Sequence, residues 1–256
     1  ITIVGGRPGH GKSTMMLNMM SNVLDKKRKV LLFNRELTNV EVLKKLIALE
    51  SGKLSYAMIR QGIYETQHLQ ELDRVREYIS KKYSPDRFRM FDQLRDFSSS
   101  ATEIKKFKPD VIFDDYIQLI TPAGKEEQRR LQLERIVNDY KWIAKEYNCV
   151  VVLASQLNRA LETRGNPMPQ LSDLAESGAI EQVAENVFFV YYAYKVPATA
   201  KPENKNEIAL VAAKVRYGET GAVQMAYNGD KCKIYNSEEE MFAPHKTEGE
   251  QDEIPF

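Results

Sequence analysis

Apolar positions along this chain follow two alternating rhythms. Ile1–Val4, Lys29–Phe33, Arg87–Phe91, Val111–Phe113 and Cys149–Ala154 are short, nearly continuous apolar runs and predict buried strands. Ser13–Leu24, Asn39–Glu50, Gln67–Tyr83, Ala101–Phe107 and Gln128–Tyr147 instead repeat their apolar residues at helical spacing. Met15, Met16, Leu17, Met19, Met20 and Val23 give the first of these helices a wide buried face, and Gly52 is the expected C-cap of the second. Strands that are apolar on both faces and alternate with helices predict an α/β fold, a mostly parallel central sheet flanked by helices on both sides.

After Val187 the rhythm changes. Val187–Tyr194, Ile208–Val215, Ala222–Tyr227 and Cys232–Tyr235 read as strands separated by turn signals at Tyr217-Gly218-Glu219 and Asn228-Gly229. They predict antiparallel strands that extend the sheet toward the C-terminus. Asn158–Gln170, with Gly165, Pro167 and Pro169, and the Lys-rich Pro197–Asn206 have loop composition. The expected division is one domain over 1–236 and an acidic, disordered tail over 237–256.

Composition adds bounds. The 37 Lys and Arg nearly cancel the 36 Asp and Glu. No overall basic field advertises nucleic acid, so such contacts must come from local loops. No apolar run reaches the roughly 18 residues of a membrane span, and no signal peptide is recognisable. Cys149 and Cys232 stand in no metal-like spacing, and a reducing cytoplasm is the expected setting. Ile1 already belongs to the first strand, so further chain is expected upstream.

The chemistry begins directly behind that strand. Gly6-Arg7-Pro8-Gly9-His10-Gly11-Lys12-Ser13, followed by Thr14, fits G-x-x-x-x-G-K-[ST] between a strand and a helix. Glycines let the backbone wrap a phosphate, and the amides with the helix N-terminus form an anion cradle. Lys12 is expected to reach the β- and γ-phosphates and the Ser13 hydroxyl to ligate Mg²⁺. ATP with Mg²⁺ is the expected ligand.

A phosphate loop needs a metal-orienting carboxylate at a neighbouring strand end. Val111-Ile112-Phe113-Asp114-Asp115 offers two, and spacing does not choose between them. Glu36 follows the strand over 30–33, which is expected beside the loop in the sheet, and reads as either a water-activating base or a helix-capping acid. Gln156 stands just after another strand, as a γ-phosphate sensor or an ordinary polar strand end. Lys214 and Arg216 lie two apart and so on one side of a strand. They are an exposed edge pair, or cations aimed at a neighbouring subunit's nucleotide.

Together these blocks resemble the ATPase domain of DnaB-type replicative helicases, within the RecA-like class, from Ile1 to about Tyr235. Gly5-Gly6-Arg7-Pro8 into Gly11-Lys12 is similar to that family's phosphate loop. Asn34-Arg35-Glu36-Leu37 resembles its Ser-Leu-Glu-Met block, and Asp115-Tyr116-Ile117-Gln118-Leu119 its Asp-Tyr-Leu-Gln-Leu block. The resemblance therefore implies Glu36 as catalytic glutamate and Asp115 as the metal-side carboxylate. Ser155-Gln156-Leu157-Asn158-Arg159, with Glu176-Ser177-Gly178 behind it, resembles the segment that senses the γ-phosphate and grips single-stranded DNA. Lys214-Val215-Arg216-Tyr217-Gly218 resembles the Lys-x-Arg-x-Gly block that acts on the next subunit's nucleotide.

Some positions depart from the family pattern. Ala175 replaces an arginine, for which Arg164 is the candidate substitute on DNA; His10 replaces a usual Met and Arg35 a usual Leu. The resemblance implies an amino-terminal domain and a linker helix, which are expected upstream of Ile1, and Asp252-Glu253-Ile254-Pro255-Phe256 resembles the docking tip of single-strand-binding proteins. The resemblance implies an ATP-dependent DNA helicase, a homohexameric ring on single-stranded DNA in a bacterial or phage-infected cell, with primase and a helicase loader as partners. A RecA-like recombinase or a nucleotide-switched ring scaffold is the alternative. The Gln156–Gln182 block opposes the first, and Glu36 opposes the second.

Overall fold

The computed structural model describes residues 1–121, 128–159, 161, 164–174 and 178–243. In chain order the elements are β1 (Thr2–Gly6), α1 (Lys12–Asp25), β2 (Val30–Asn34), α2 (Asn39–Glu50), α3 (Tyr56–Gln61), α4 (Thr66–Lys82), β3 (Phe88–Phe91) and α5 (Phe97–Phe107). They continue as β4 (Val111–Asp115), α6 (Arg129–Glu146), β5 (Val150–Gln156), α7 (Gly178–Val183), β6 (Asn186–Tyr191), β7 (Glu207–Val215), β8 (Gly221–Asn228), β9 (Lys233–Tyr235) and α8 (Glu238–Phe242). One nine-stranded sheet runs in the order β3-β2-β4-β5-β1-β6-β7-β8-β9. The pairs from β3 through β6 are parallel and those from β6 through β9 antiparallel, as the change of rhythm predicts.

Strand alternation sorts the core into two layers. On one face Ile3, Leu31, Phe33, Ile112, Val151 and Leu153 pack with Ile104 of α5 and with Leu133, Ile136 and Tyr140 of α6. On the other, Val4, Val30, Leu32, Val111, Phe113 and Val152 pack with Met16 and Met20 of α1, Leu46 of α2 and Val75 of α4. Successive strand residues face opposite sides, so each central strand supplies both cores. No described helix is long and apolar enough to cross a membrane.

Several boundaries differ from expectation. The C-cap of α2 is Ser51 in an extended conformation, not Gly52, and the left-handed glycine C-cap belongs to Gly62 (φ 70°) after the unpredicted α3. Helix α5 starts at Phe97 rather than Ala101, because the Asp96 side chain accepts the Ser99 N–H and opens the helix a turn earlier. The strand expected to reach Tyr194 ends at Tyr191 and turns into a 3-10 turn over Ala193–Lys195. The acidic tail is helical at its start. Ser237 caps α8 and Glu238, Glu239 and Glu240 fill its first turn, where the helix dipole favours acids; 244–256 lie outside the described residues. The largest correction concerns Glu36: β2 is not beside β1, since β4 and β5 lie between them.

Candidate nucleotide site

The phosphate loop connects β1, the central strand of the nine-stranded sheet, to α1. Gly9 (φ 78°) and Gly11 (φ 89°) both adopt left-handed backbone there, and Gly11 is the N-cap of α1. A Cβ at Gly11 would also come within 2.9 Å of Ile208 Cδ1. These requirements explain the two glycines physically. Arg7 is buried and donates from Nη1 to the Leu157 carbonyl at 2.8 Å, tying the loop to the end of β5. His10 is buried and accepts the Tyr192 N–H at 3.3 Å, tying it to β6. Asn18 fixes α1 from behind, donating to the Thr14 and Cys232 carbonyls at 2.8 and 3.0 Å and accepting from the Ile234 N–H at 3.0 Å. Pro8 and Gly9 lie in the loop itself, and Ser13 and Thr14 in the first turn of α1.

The two aspartates of β4 are separated by strand parity. Asp115 shares the α1 face with Val111 and Phe113, and it accepts from Lys12 Nζ at 2.8 Å in a buried ion pair. Lys12 Nζ also lies 4.5 Å from the centre of the Tyr116 ring. Ser13, Asn34 and Asp115 line one small cleft between α1 and the strand ends. Asp114 points to the opposite face, fully buried, where Arg35 holds it through Nε and Nη2, each at 2.7 Å, and the Tyr140 hydroxyl donates to it. Asp115 is thus the aspartate on the side of Lys12 and Ser13.

Glu36 is exposed in the turn after β2. Asn34 pairs with Asp115, and the Arg35 N–H donates to the Asp115 carbonyl at 2.8 Å, which sets this turn against the end of β4. Burial first, then the charges of Glu36 and Asp115, pushes the Tyr116 phenol above its ordinary range. Glu36 therefore sits within electrostatic reach of the same strand end. The oxygen donors of Ser13 and Asp115 suit Mg²⁺, which takes one or two protein ligands and completes its shell with phosphate and water. Among the described residues no three His, Cys, Asp or Glu side chains cluster to hold a metal by themselves.

Gln156 stands opposite Gly6 in the β1–β5 ladder. Its backbone N–H donates to Gln118 Oε1 at 3.2 Å, while Gln118 Nε2 donates to Ser155 Oγ at 2.9 Å and to the Gln156 carbonyl at 3.4 Å. In the sequence Gln118 stands only as one residue of the Asp115–Leu119 block, which does not announce this bridging role. The available signal was an amide three residues past a strand-terminal acid, which local spacing cannot connect to β5.

The remaining sequence candidates lie elsewhere. Lys214 and Arg216 do turn to one side, toward α7: Lys214 Nζ donates to the Glu181 carbonyl at 2.7 Å, and Arg216 pairs with Glu185 at 3.3 Å. Gly6 aligns with Val190 and Leu210, whereas Val215 aligns with Asn186 and Thr2. The cations thus sit toward the far end of the sheet from their own phosphate loop, displaced along the strands by about 10 Å for Lys214 and about 16 Å for Arg216 at roughly 3.3 Å per strand residue. Arg164, expected on DNA, is engaged by its own loop. It binds both Asp173 oxygens at 3.0 Å and also donates to the Asn166 and Met168 carbonyls. Gly178 opens α7 and is exposed, while Ala175, Glu176 and Ser177 lie outside the described residues.

Comparison with known proteins gives the family and the fold. The family model described as DnaB-like helicase C terminal domain matches residues 1–236. The replicative DNA helicase DnaB of Rickettsia bellii is 29% identical over 93% of this chain and 54% of its own length. That of Geobacillus stearothermophilus is 30% identical over 93% of this chain and 52% of its own. A solved DnaB-like replicative helicase, studied with its primase interactions, superposes with a TM-score of 0.82 at 28% identity, covering 92% of this chain and 57% of that one. The chain spans about half the length of the curated relatives it matches.

Proposed function

Because this chain belongs to the DnaB-like helicase C-terminal domain family, we propose that it is the ATP-hydrolysing motor of a replicative DNA helicase. The observation that carries the reading is the buried Lys12–Asp115 pair beside Ser13, at the mouth of a glycine loop. In that pair the lysine and carboxylate neutralise each other. An arriving nucleotide supplies phosphate oxygens that Lys12 takes instead. Asp115 and Ser13 are then free to hold Mg²⁺, whose charge, when bound, offsets that of the phosphates. Glu36 orients and deprotonates the attacking water. Gln156, on the strand beside Gly6, responds to the γ-phosphate and passes its state to the loop that follows.

Lys214 and Arg216 complete the site of a neighbouring copy in a homohexamer, an assignment supported by their distance from the phosphate loop of their own chain. Their contacts with Glu181 and Glu185 would be exchanged for that neighbour's nucleotide. Backbone groups of Glu176, Ser177 and Gly178 grip one DNA strand in the ring's channel. The near-neutral net charge of +1 is compatible with this, because six copies of a few donors concentrate in one channel, and binding should weaken with salt. Primase and a helicase loader are the expected partners, and the cytoplasm of a bacterial or phage-infected cell the expected location.

Glu36→Gln tests the motor. It should keep ATP binding and lose DNA-stimulated hydrolysis, and unchanged turnover would sink the assignment. Fork unwinding by Arg216→Ala tests the shared site, and normal unwinding by that variant rules out the action in trans.

A further inference from the structure

The pair made by Arg35 and Asp114 stands on the sheet face opposite the nucleotide, yet each partner is the chain neighbour of a residue assigned to the chemistry. Arg35 precedes Glu36, and Asp114 precedes Asp115. The pair is built to a high standard. Asp114 is 0% exposed, both of its carboxylate oxygens are taken by the Arg35 fork at 2.7 Å, and Tyr140 of α6 adds a further donor. The other Arg35 donors go to the Leu94 carbonyl and to Ser100 Oγ, the latter at 3.0 Å. The guanidinium also lies 5.4 Å from the centre of the Phe33 ring. Burial alone would drive the Arg35 guanidinium toward losing its proton, but the hydrogen bonds and charge of Asp114 outweigh it.

A planar fork held on both prongs fixes orientation as well as position. The same residue's backbone N–H is bonded to the Asp115 carbonyl at 2.8 Å. Arg35 is thus held by β4 through main chain and side chain together, through Leu94 by the segment leading into α5 and through Ser100 by its first turn. The turn that follows carries the exposed Glu36; the Asn34 side chain spans it by bonding both the Leu37 N–H and the Leu37 carbonyl, and the Asn39 N–H donates to Asp92 beyond it. We propose that Arg35 is a positioning residue, whose grip on Asp114 fixes the Glu36 turn relative to Asp115 and so sets the hydrolysis rate without touching the nucleotide. The inference rests on the assignment of Glu36 and Asp115 to catalysis.

Removing Arg35 alone would strand a buried carboxylate and unfold the protein for trivial reasons. Two other variants avoid this. Arg35→Lys keeps the charge but not the fork, and Arg35→Leu combined with Asp114→Leu removes both charges at once. ATP-analogue affinity, unfolding temperature and kcat are measured for the full chain on single-stranded DNA. Both variants should bind nucleotide as the parent does and stay folded at the assay temperature, melting a few degrees lower for the lost hydrogen bonds, while kcat falls about tenfold, since small displacements of a reacting group cost that much or more. Parental kcat in either variant overturns the proposal. So does a loss of affinity that matches the loss of rate, or unfolding at the assay temperature, because a structural role would move all of them. Glu36→Gln is run alongside. If it hydrolyses ATP normally, the catalytic assignment has failed; if it is inactive while the Arg35 variants are unimpaired, only the positioning role has.

Discussion

Replacing Gln118 with Met tests how the nucleotide side of the sheet is held together. The β4–β5 ladder ends at the Asp114–Leu153 pair, leaving Ser155 and Gln156 without a strand on that edge. Gln118, in the 3-10 turn after β4, takes the place of the missing strand with three hydrogen bonds at 2.9, 3.2 and 3.4 Å. Methionine has similar length and makes none of them. Each hydrogen bond contributes about 0.5–1.5 kcal/mol net, and the two longer ones belong at the low end. The groups are partly buried, so water recovers some of the loss. The expected cost is about 1–2 kcal/mol, or roughly 2–8 °C in melting temperature for a chain of this size. The loosened end of β5 carries Gln156 opposite Gly6, so hydrolysis should fall more than nucleotide affinity. Thermal unfolding and steady-state ATPase assays, with Gln118→Glu as a variant that keeps only the accepting oxygens, measure both. A Gln118→Met protein that melts within a degree of the parent and turns over normally would refute the bridging role.

Other perturbations follow from single observations. Gly11→Ala imposes φ 89° on alanine and brings its Cβ to 2.9 Å from Ile208 Cδ1; it should cost about 1–3 kcal/mol, and calorimetry with an ATP analogue should show binding weakened more than tenfold if that strain displaces the loop. Asp96→Ala removes the cap of α5 and should cost about 1 kcal/mol by denaturant unfolding. Hydrogen bonds from Ser98 and Ser99 hold the Asp96 carboxyl well below its ordinary value of 3.8. Its contribution is therefore present above that value and lost as the pH falls toward the lowered one, so the difference between parent and Asp96→Ala should shrink in acid. A constant difference would show that the cap does not act through the carboxylate. Burial pushes the Cys149 thiol up to about 11, so at roughly pH 8 it should resist alkylation in the folded protein and react on unfolding. Rapid labelling of Cys149 in the native state would contradict the packing described for it.

Much of the architecture is readable locally. Lys29–Phe33 and Asn39–Glu50 announce a strand and a helix because the period of their apolar residues is a property of a few turns of chain. The phosphate loop is equally local, since left-handed backbone at Gly9 and Gly11 depends on the absence of a side chain there. What stayed hidden concerns residues far apart in sequence. Strand parity puts Asp114 and Asp115 on opposite faces, but only the packing of α1 against Val111 and Phe113 says which face meets Lys12. Arg164 reads as a free cation until Asp173 is brought against it. Lys214 and Arg216 look available to any phosphate until the β6–β7 register puts them at the far end of the sheet. Sequence by itself determined which elements form and that the chain carries a nucleotide loop, because periodicity and backbone freedom act over a few residues. Tertiary structure alone decided why Asp115 and not Asp114 meets Lys12, which cations cannot reach the loop and what holds Gln156 in place, because facing and register arise from pairings between strands that the sequence does not join.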